Sequence, residues 1–297
     1  MPKVFISYSH KQGEWVWERL CPSLKAAGLE VLIDRERFEA GREAFGEVDA
    51  TQDQAERHLL VLSPDYLVSP YCPHEMTRAI ASDPGFTAGR VVPVFREPCD
   101  VPALSGVLAV DLHDDGDAAQ WRKLFRACGA DKSFDVPGWL TARDEVVRYL
   151  GRGQSVNLVA PLKSDWRSFF KHMVLEQFDR LGVVKLNNPA TIPREGLVAE
   201  ILKAVGAPFA GTIPKKPRDL ATMSEGISAK APAHLALIHF DIVAHRNYGL
   251  DLFTTLHNLV MDKRHLVLLT HSYTPFAELL PRDHPVSNLN MAMVALP

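Results

Sequence analysis

No C-x-x-C pair occurs in this chain, whose four cysteines, Cys21, Cys72, Cys99 and Cys128, lie scattered. Their scarcity and spacing argue against structural zinc and a disulfide framework, and fit a reducing compartment. None of the twelve histidines forms H-E-x-x-H or another metal-ligand spacing, although eight of them lie beyond residue 134. No apolar run reaches the length of a membrane span. An excess of either charge is also lacking. The net value of −3 is too small to imply a nucleic-acid binder, so any such contact is at most indirect. There is no internal repeat and no low-complexity tract.

What is present is a chain of 297 residues, enough for two domains of ordinary size. Its 46% hydrophobic and 23% charged content is that of a globular protein. The opening MPKVFISYSH enters a strand at once and leaves no room for a signal peptide, which predicts a cytoplasmic location. A boundary after Phe134 separates a first domain, 1–134, from a second, 135–297. The first carries 15 Lys+Arg and 21 Asp+Glu, or −6; the second carries 18 and 15, or +3. The opposite signs favour contact between them only weakly.

In the first domain strand and helix alternate five times. Strands are predicted over Lys3–Tyr8, Glu30–Asp34, His58–Ser63, Val91–Arg96 and Leu108–Leu112. Helices are predicted over Glu14–Ala27, Gly46–Arg57, from Pro73 to Ser82, and over Ala118–Cys128, with Gly28 as a C-cap. That order requires a parallel sheet with helices on both faces. The segment Arg35–Phe45 is a charged loop around Gly41. Its arginines, Arg35, Arg37 and Arg42, either face solvent or attract a dinucleotide's phosphates. His10 is a solvated loop residue.

The stretch from Ser63 to Ile80, SPDYLVSPYCPHEMTRAI, carries the most chemistry. It leaves the apolar run Leu59–Leu62, and Pro73 suits the first turn of a helix. Glu75 then falls near the positive end of the helix dipole, at the mouth of a sheet where open α/β folds place ligands. Alone, such a glutamate is an ordinary first-turn residue. Its neighbours change that reading. Ser63, Ser69, Cys72 and Glu75 reproduce the S-x-x-x-x-x-S-x-x-C-x-x-E spacing of Toll/interleukin-1 receptor (TIR) domains, in the form of their NAD-cleaving members. The opening FISYSH, Asp34, Gly41 and the Glu75 helix also resemble that family, over residues 1–130. One departure is Tyr71, which stands where those domains carry Trp; an aromatic face is kept.

The resemblance implies a flavodoxin-like fold and cleavage of the nicotinamide–ribose bond of NAD, with NAD as substrate and no cofactor or metal. Glu75 would be catalytic. Phe5, Ser7, Tyr8, Gly41, Arg42, Ser69, Tyr71 and Cys72 would contact the substrate, and the loop around Gly41 would close the pocket and help domains stack. The family also implies self-association and, for bacterial fusions of this kind, NAD depletion in anti-phage defence. The alternative is a non-catalytic TIR scaffold, whose members often lack the glutamate.

In the second domain Lys132–Gly138 is a linker and Leu140–Leu150 a helix. Ser155–Ala160 reads as a buried strand and Ser164–Leu181 as one long amphipathic helix. Strand, loop and helix in that order resemble a P-loop nucleotide-binding domain, but G-x-x-x-x-G-K-[ST] is replaced by APLKSDWR. Asp165 and Trp166 stand at the second Gly and the Lys, Arg167 at the Ser/Thr, and Pro161 removes an amide donor. Ala236–Asp241 looks like the strand and acid that hold magnesium in such domains, Arg264–Ser272 like the following sensor strand, and His284–Pro297 like the approach to a helical lid. The half therefore resembles the core of STAND-type signalling ATPases with a dead phosphate site, an α/β domain serving assembly or a protein partner. An active ATPase switch is the rival reading. Pro208–Asp219 is a proline-rich basic loop.

Overall fold

The computed structural model describes residues 1–33, 44–206, 227 and 229–297. Contacts divide the chain into two compact units, Met1–Leu140 and Thr141–Pro297. Each is built on its own parallel five-stranded sheet. Among the described residues no helix is long and apolar enough to cross a membrane.

The first sheet contains β1 (Lys3–Tyr8), β2 (Glu30–Leu32), β3 (Arg57–Leu62), β4 (Val91–Phe95) and β5 (Val110–Asp111), in the order β2-β1-β3-β4-β5. This is the flavodoxin-like doubly wound order, in which the chain reverses direction of travel between β1 and β3. Every residue from Leu59 to Leu62 is fully buried. Alternate side chains of a strand face opposite sides, so both faces of the sheet are covered. Leu60 and Leu62 pack with Tyr66, Cys72 and Ala79, which places the Cys72–Ser82 helix over that face.

The predicted first helix is helical from Gly13 to Ala26, with a π turn over Val16–Leu20. It stops at Gly28, whose φ of 88° and amide bond to the Lys25 carbonyl close the last turn. The second helix is Ala44–Asp53, ending four residues before the expected limit, because Arg57 already belongs to β3. Between β3 and the Cys72 helix lies a short helix, Pro64–Leu67, not foreseen in the sequence. Asp34 and the loop residues Arg35, Arg37, Gly41 and Arg42 lie outside the described residues, as does Pro208–Asp219.

The second sheet contains β6 (Val156–Val159), β7 (Leu181–Lys185), β8 (Ala233–Ile238), β9 (Leu266–Ser272) and β10 (Ala292–Ala295), in the order β10-β6-β9-β8-β7. Three expectations fail here. The helix expected over Leu140–Leu150 spans Val136–Gly151 and takes in Pro137 and Gly138, which the linker was expected to hold. The long helix over Ser164–Leu181 is instead helical only from Trp166 to Gln177, through an α turn, a π turn and a 3-10 turn, and Leu181 opens β7. The sequence LGVVK pairs along β8 from Leu181↔His234 to Lys185↔Ile238, and this long-range ladder overrides the local helical spacing. The segment His284–Pro297 does not lead into a helical lid. It forms a 3-10 turn over Pro285–Asn288 and then β10, which extends the sheet beside β6. Leu197, Val198, Ile201 and Leu202 of the Arg194–Ala204 helix join Leu235, Leu237 and Leu268 in one core cluster.

Candidate functional site

Ser7 is the penultimate residue of β1, and Ser63 follows the last residue of β3. These two strands are adjacent, in the register Ser7↔Leu60. The crevice outside their carboxyl ends is the topological switch point, where a doubly wound sheet leaves room for a ligand because successive helices depart to opposite faces.

Two helix starts deliver side chains to that place. Ser63 adopts extended backbone angles, and its hydroxyl oxygen accepts the Tyr66 amide at 3.2 Å, so the short Pro64–Leu67 helix begins directly at the strand end. The cap carries Tyr66 inward, fully buried. Ser69 then turns its hydroxyl oxygen to the amides of Tyr71 and Cys72, both at 3.4 Å, at the start of the Cys72–Ser82 helix. Glu75 lies in the first turn of that helix, where the positive end of the helix dipole favours a carboxylate.

The Ser7 hydroxyl donates to Glu75 Oε2 in a short hydrogen bond and lies 2.8 Å from Tyr66 Oη. The phenol oxygen also lies 3.2 Å from the Cys72 carbonyl, and Cys72 Sγ donates to the Tyr8 carbonyl at 3.4 Å. β1, the strand-end helix and the Glu75 helix are thus tied at one point. From the third side Gln52 Nε2 donates to the Glu75 carbonyl at 2.8 Å, while its Oε1 is buried with no hydrogen-bond partner. Arg78 pairs with Asp49 at 3.1 Å and Asp53 at 2.7 Å, holding the Ala44–Asp53 helix beside the Glu75 helix. Burial pushes the Cys72 thiol up to about 11, with Ser69 opposing and Glu75 adding to the rise. That thiol stays protonated at neutral pH and is no nucleophile.

The structure therefore brings Ser7, Cys72 and Glu75 together and leaves Ser69 as the helix-start cap beside them. Tyr71 is 41% exposed on the rim. Phe5 shares Ser7's face of β1 but is fully buried against Ala55 and Leu32, two residues deeper in the strand. Tyr8 meets Cys72 through its carbonyl; its hydroxyl accepts the Trp17 indole N–H at 3.0 Å, and its side chain leaves the strand on the side opposite Ser7. Gly41 and Arg42 are outside the described residues. Tyr66 and Gln52 were missed in the sequence. Tyr66 stands three residues after a capping serine, and a buried phenol needs a partner, which was the available signal. Nothing local distinguishes Gln52 from a surface glutamine.

In the second unit the loop after β6 carries Asp165 as the cap of the Trp166–Phe169 turn. Its carboxylate accepts the Ser168 amide at 3.3 Å and the Ser168 hydroxyl at 2.8 Å. Trp166 is buried and stacks on His271 with ring centroids 3.8 Å apart. The acid expected to hold magnesium, Asp241, accepts the amides of Tyr273 and Thr274 at 2.9–3.1 Å. Burial, with Arg167 and His239 nearby, pushes His271 down to about 3. Among the described residues no three His, Cys, Asp or Glu side chains gather as a metal site.

Residues 4–125 match the family model described as a TIR domain. A stretch of 72 residues, 24% of this chain, is 28% identical to Toll-like receptor 1 of Homo sapiens, and the match spans 9% of that receptor's length. Toll-like receptor 6 of Bos taurus is matched over the same extent at the same identity. Among solved structures, the TIR domain of the Toll-related receptor TRR-2 from Hydra magnipapillata is similar at 24% identity, over 42% of this chain and 97% of that one, with a TM-score of 0.38. A structure of Drosophila ORC bound to GC-rich DNA and Cdc6 is matched at 14% identity, over 53% of this chain and 57% of that one, also with a TM-score of 0.38.

Proposed function

We propose, from the premise that residues 4–125 form a TIR domain, that this chain is an NAD glycohydrolase. The observation that carries the proposal is Glu75, a first-turn carboxylate held by the Ser7 hydroxyl at the carboxyl ends of β1 and β3. In the reaction the bond between ribose C1′ and the nicotinamide nitrogen breaks, and both its electrons leave with nicotinamide. Positive charge develops on C1′ and the ring oxygen, as in other glycosyl cleavages. Glu75, beside the ribose hydroxyls, stabilises that charge. Water then adds to C1′ and loses a proton, giving ADP-ribose; an internal nucleophile would give a cyclised product instead. Fixing the carboxylate before the charge appears removes the cost of reorienting solvent around it.

Substrate lies against Ser7, Tyr71 and the start of the Cys72–Ser82 helix. TIR domains stack to complete the pocket, and the second unit governs assembly or senses a protein partner in the cytoplasm. The second unit is read as a degenerate P-loop core. Asp165 supplies its own anion to the helix start, and Trp166 fills the place of the lysine. The biological setting that fits is bacterial anti-phage defence, in which a triggered effector depletes NAD. The test is incubation of the purified full chain with NAD over a protein concentration series, following nicotinamide release. Absence of release at every concentration, with self-association intact, would favour the scaffold reading.

A further inference from the structure

We propose that Tyr66 is a positioning residue for Glu75, acting through Ser7 as the far end of a relay of two hydroxyl donors. Its part in catalysis rests on the NAD-cleaving reading; the relay itself does not.

The relay follows from counting hydrogens. Three contacts lie in series: Glu75 to Ser7, Ser7 to Tyr66 at 2.8 Å, and Tyr66 to the Cys72 carbonyl at 3.2 Å. Ser7 and Tyr66 bring one hydrogen each. With Glu75 ionised, the Ser7 hydrogen must point at the carboxylate, which has none to give. Ser7 Oγ can then only accept from Tyr66, so the phenol hydrogen turns to the shorter of its two contacts. Tyr66 donates to Ser7, and Ser7 donates to Glu75. With Glu75 protonated the chain runs backwards: Glu75 donates to Ser7, Ser7 to Tyr66, and Tyr66 to the Cys72 carbonyl. The first direction forfeits the phenol's bond to the Cys72 carbonyl, the longest contact of the series, and the second keeps all three, but only the first ends on a charge.

Hydrogen bonds to an ionised acceptor are about twice as strong as neutral ones. Bonds in series in a low-dielectric interior strengthen one another. Ser7 is 1% exposed and Tyr66 is fully buried, so water does not substitute for either donor. Burial also raises the phenol's titration well above its ordinary value, so the relay keeps its hydrogen across the working pH range. The net effect favours the carboxylate and fixes its Oε2 on Ser7. A phenol present only to fill the core would satisfy its hydrogen on the Cys72 carbonyl and would leave Glu75 indifferent to its removal.

The experiment titrates Glu75 in the full chain, labelled with carbon-13 at the glutamate side-chain carboxyls, with Glu75→Gln identifying the signal. Tyr66→Phe is expected to move the Glu75 midpoint upward by about half a pH unit. In a Ser7→Ala background the same substitution is expected to leave the midpoint where it is. Replacing the tyrosines by 3-fluorotyrosine exchanges one ring hydrogen for fluorine and makes the phenol a stronger donor, so the midpoint is expected to fall, and to stay in place when Ser7→Ala is also present. If Tyr66→Phe unfolds, the fluorotyrosine measurement stands alone. An unmoved midpoint overturns the relay, as does a Tyr66→Phe shift of equal size with and without Ser7. Nicotinamide release is followed in parallel, and the acid limb of its kcat/KM profile is expected to move with the midpoint. A wild-type chain that releases no nicotinamide would defeat the NAD reading while the titration still decides the relay.

Discussion

His271 is expected to make the second unit acid-labile. It lies fully buried in β9, stacked on Trp166, with Nδ1 accepting the His239 amide at 3.4 Å and Nε2 without a hydrogen-bond partner. Burial, then His239 and Arg167, push its titration from 6.5 down to about 3. Above pH 6.5 neither the folded nor the unfolded chain protonates this ring. Below it the unfolded chain gains a proton that the folded chain refuses, so stability falls with pH until about 3. Between pH 7 and pH 5 the loss from this one group is about 2 kcal/mol. His271→Gln, neutral at every pH, should lower stability at pH 7 through the lost stacking yet flatten the pH dependence by that amount. Urea unfolding at the two pH values measures both quantities. His58, held down to about 4 by burial and Arg90, gives the first unit an acid sensitivity of its own, which His271→Gln leaves unchanged. Equal pH slopes for wild type and His271→Gln in the second-unit transition would refute the reasoning.

Glu75→Gln keeps shape and removes the charge; nicotinamide release under assembled conditions should fall roughly a hundred- to a thousand-fold, about 2.7–4 kcal/mol. Folding should change by only about 0.3–1 kcal/mol, measured by thermal unfolding, and a wild-type rate in this variant would remove the catalytic assignment. Release should rise more steeply than linearly with protein concentration, or need a partner; strict proportionality in a monomeric protein counts against stacking. ATP with magnesium at millimolar concentration should neither be hydrolysed nor raise Tm. An ATP phosphate would meet the Asp165 carboxylate at about 4 kcal/mol of repulsion at 4 Å and an effective dielectric near 20. Calorimetric binding of ATP at micromolar concentration, lost when the lysine of the APLKSDWR loop is removed by Lys163→Ala, would restore the ATPase switch. Asp165→Ala should cost about 0.5–2 kcal/mol of stability by uncapping its turn, read from urea unfolding.

Local chemistry determined the frame of the first unit. The runs Lys3–Tyr8 and Leu59–Leu62 are apolar enough to be buried on both faces, and strands of that kind separated by helix-length segments can only pair in parallel. Pro73 and Gly28 marked a helix start and a helix end because each restricts backbone angles regardless of what surrounds it. Glu75 was legible for the same reason, being a spacing within one short stretch. The tertiary structure alone decided what Glu75 touches. Ser7 lies 68 residues away in sequence and meets it only because β1 and β3 become neighbours. Tyr66 entered the site through a four-residue helix too short to leave a periodic trace. In the second unit Phe169, Phe170, Met173 and Val174 are spaced for a helix and are buried in one, but nothing near Leu181 says that the helix must already have stopped. Its partner for pairing, β8, begins at Ala233, and β10 waits on β6, more than a hundred residues earlier. Helical spacing is written within a few turns of chain. Strand pairing is settled by whichever distant edge is free, and that edge exists only once the sheet has formed.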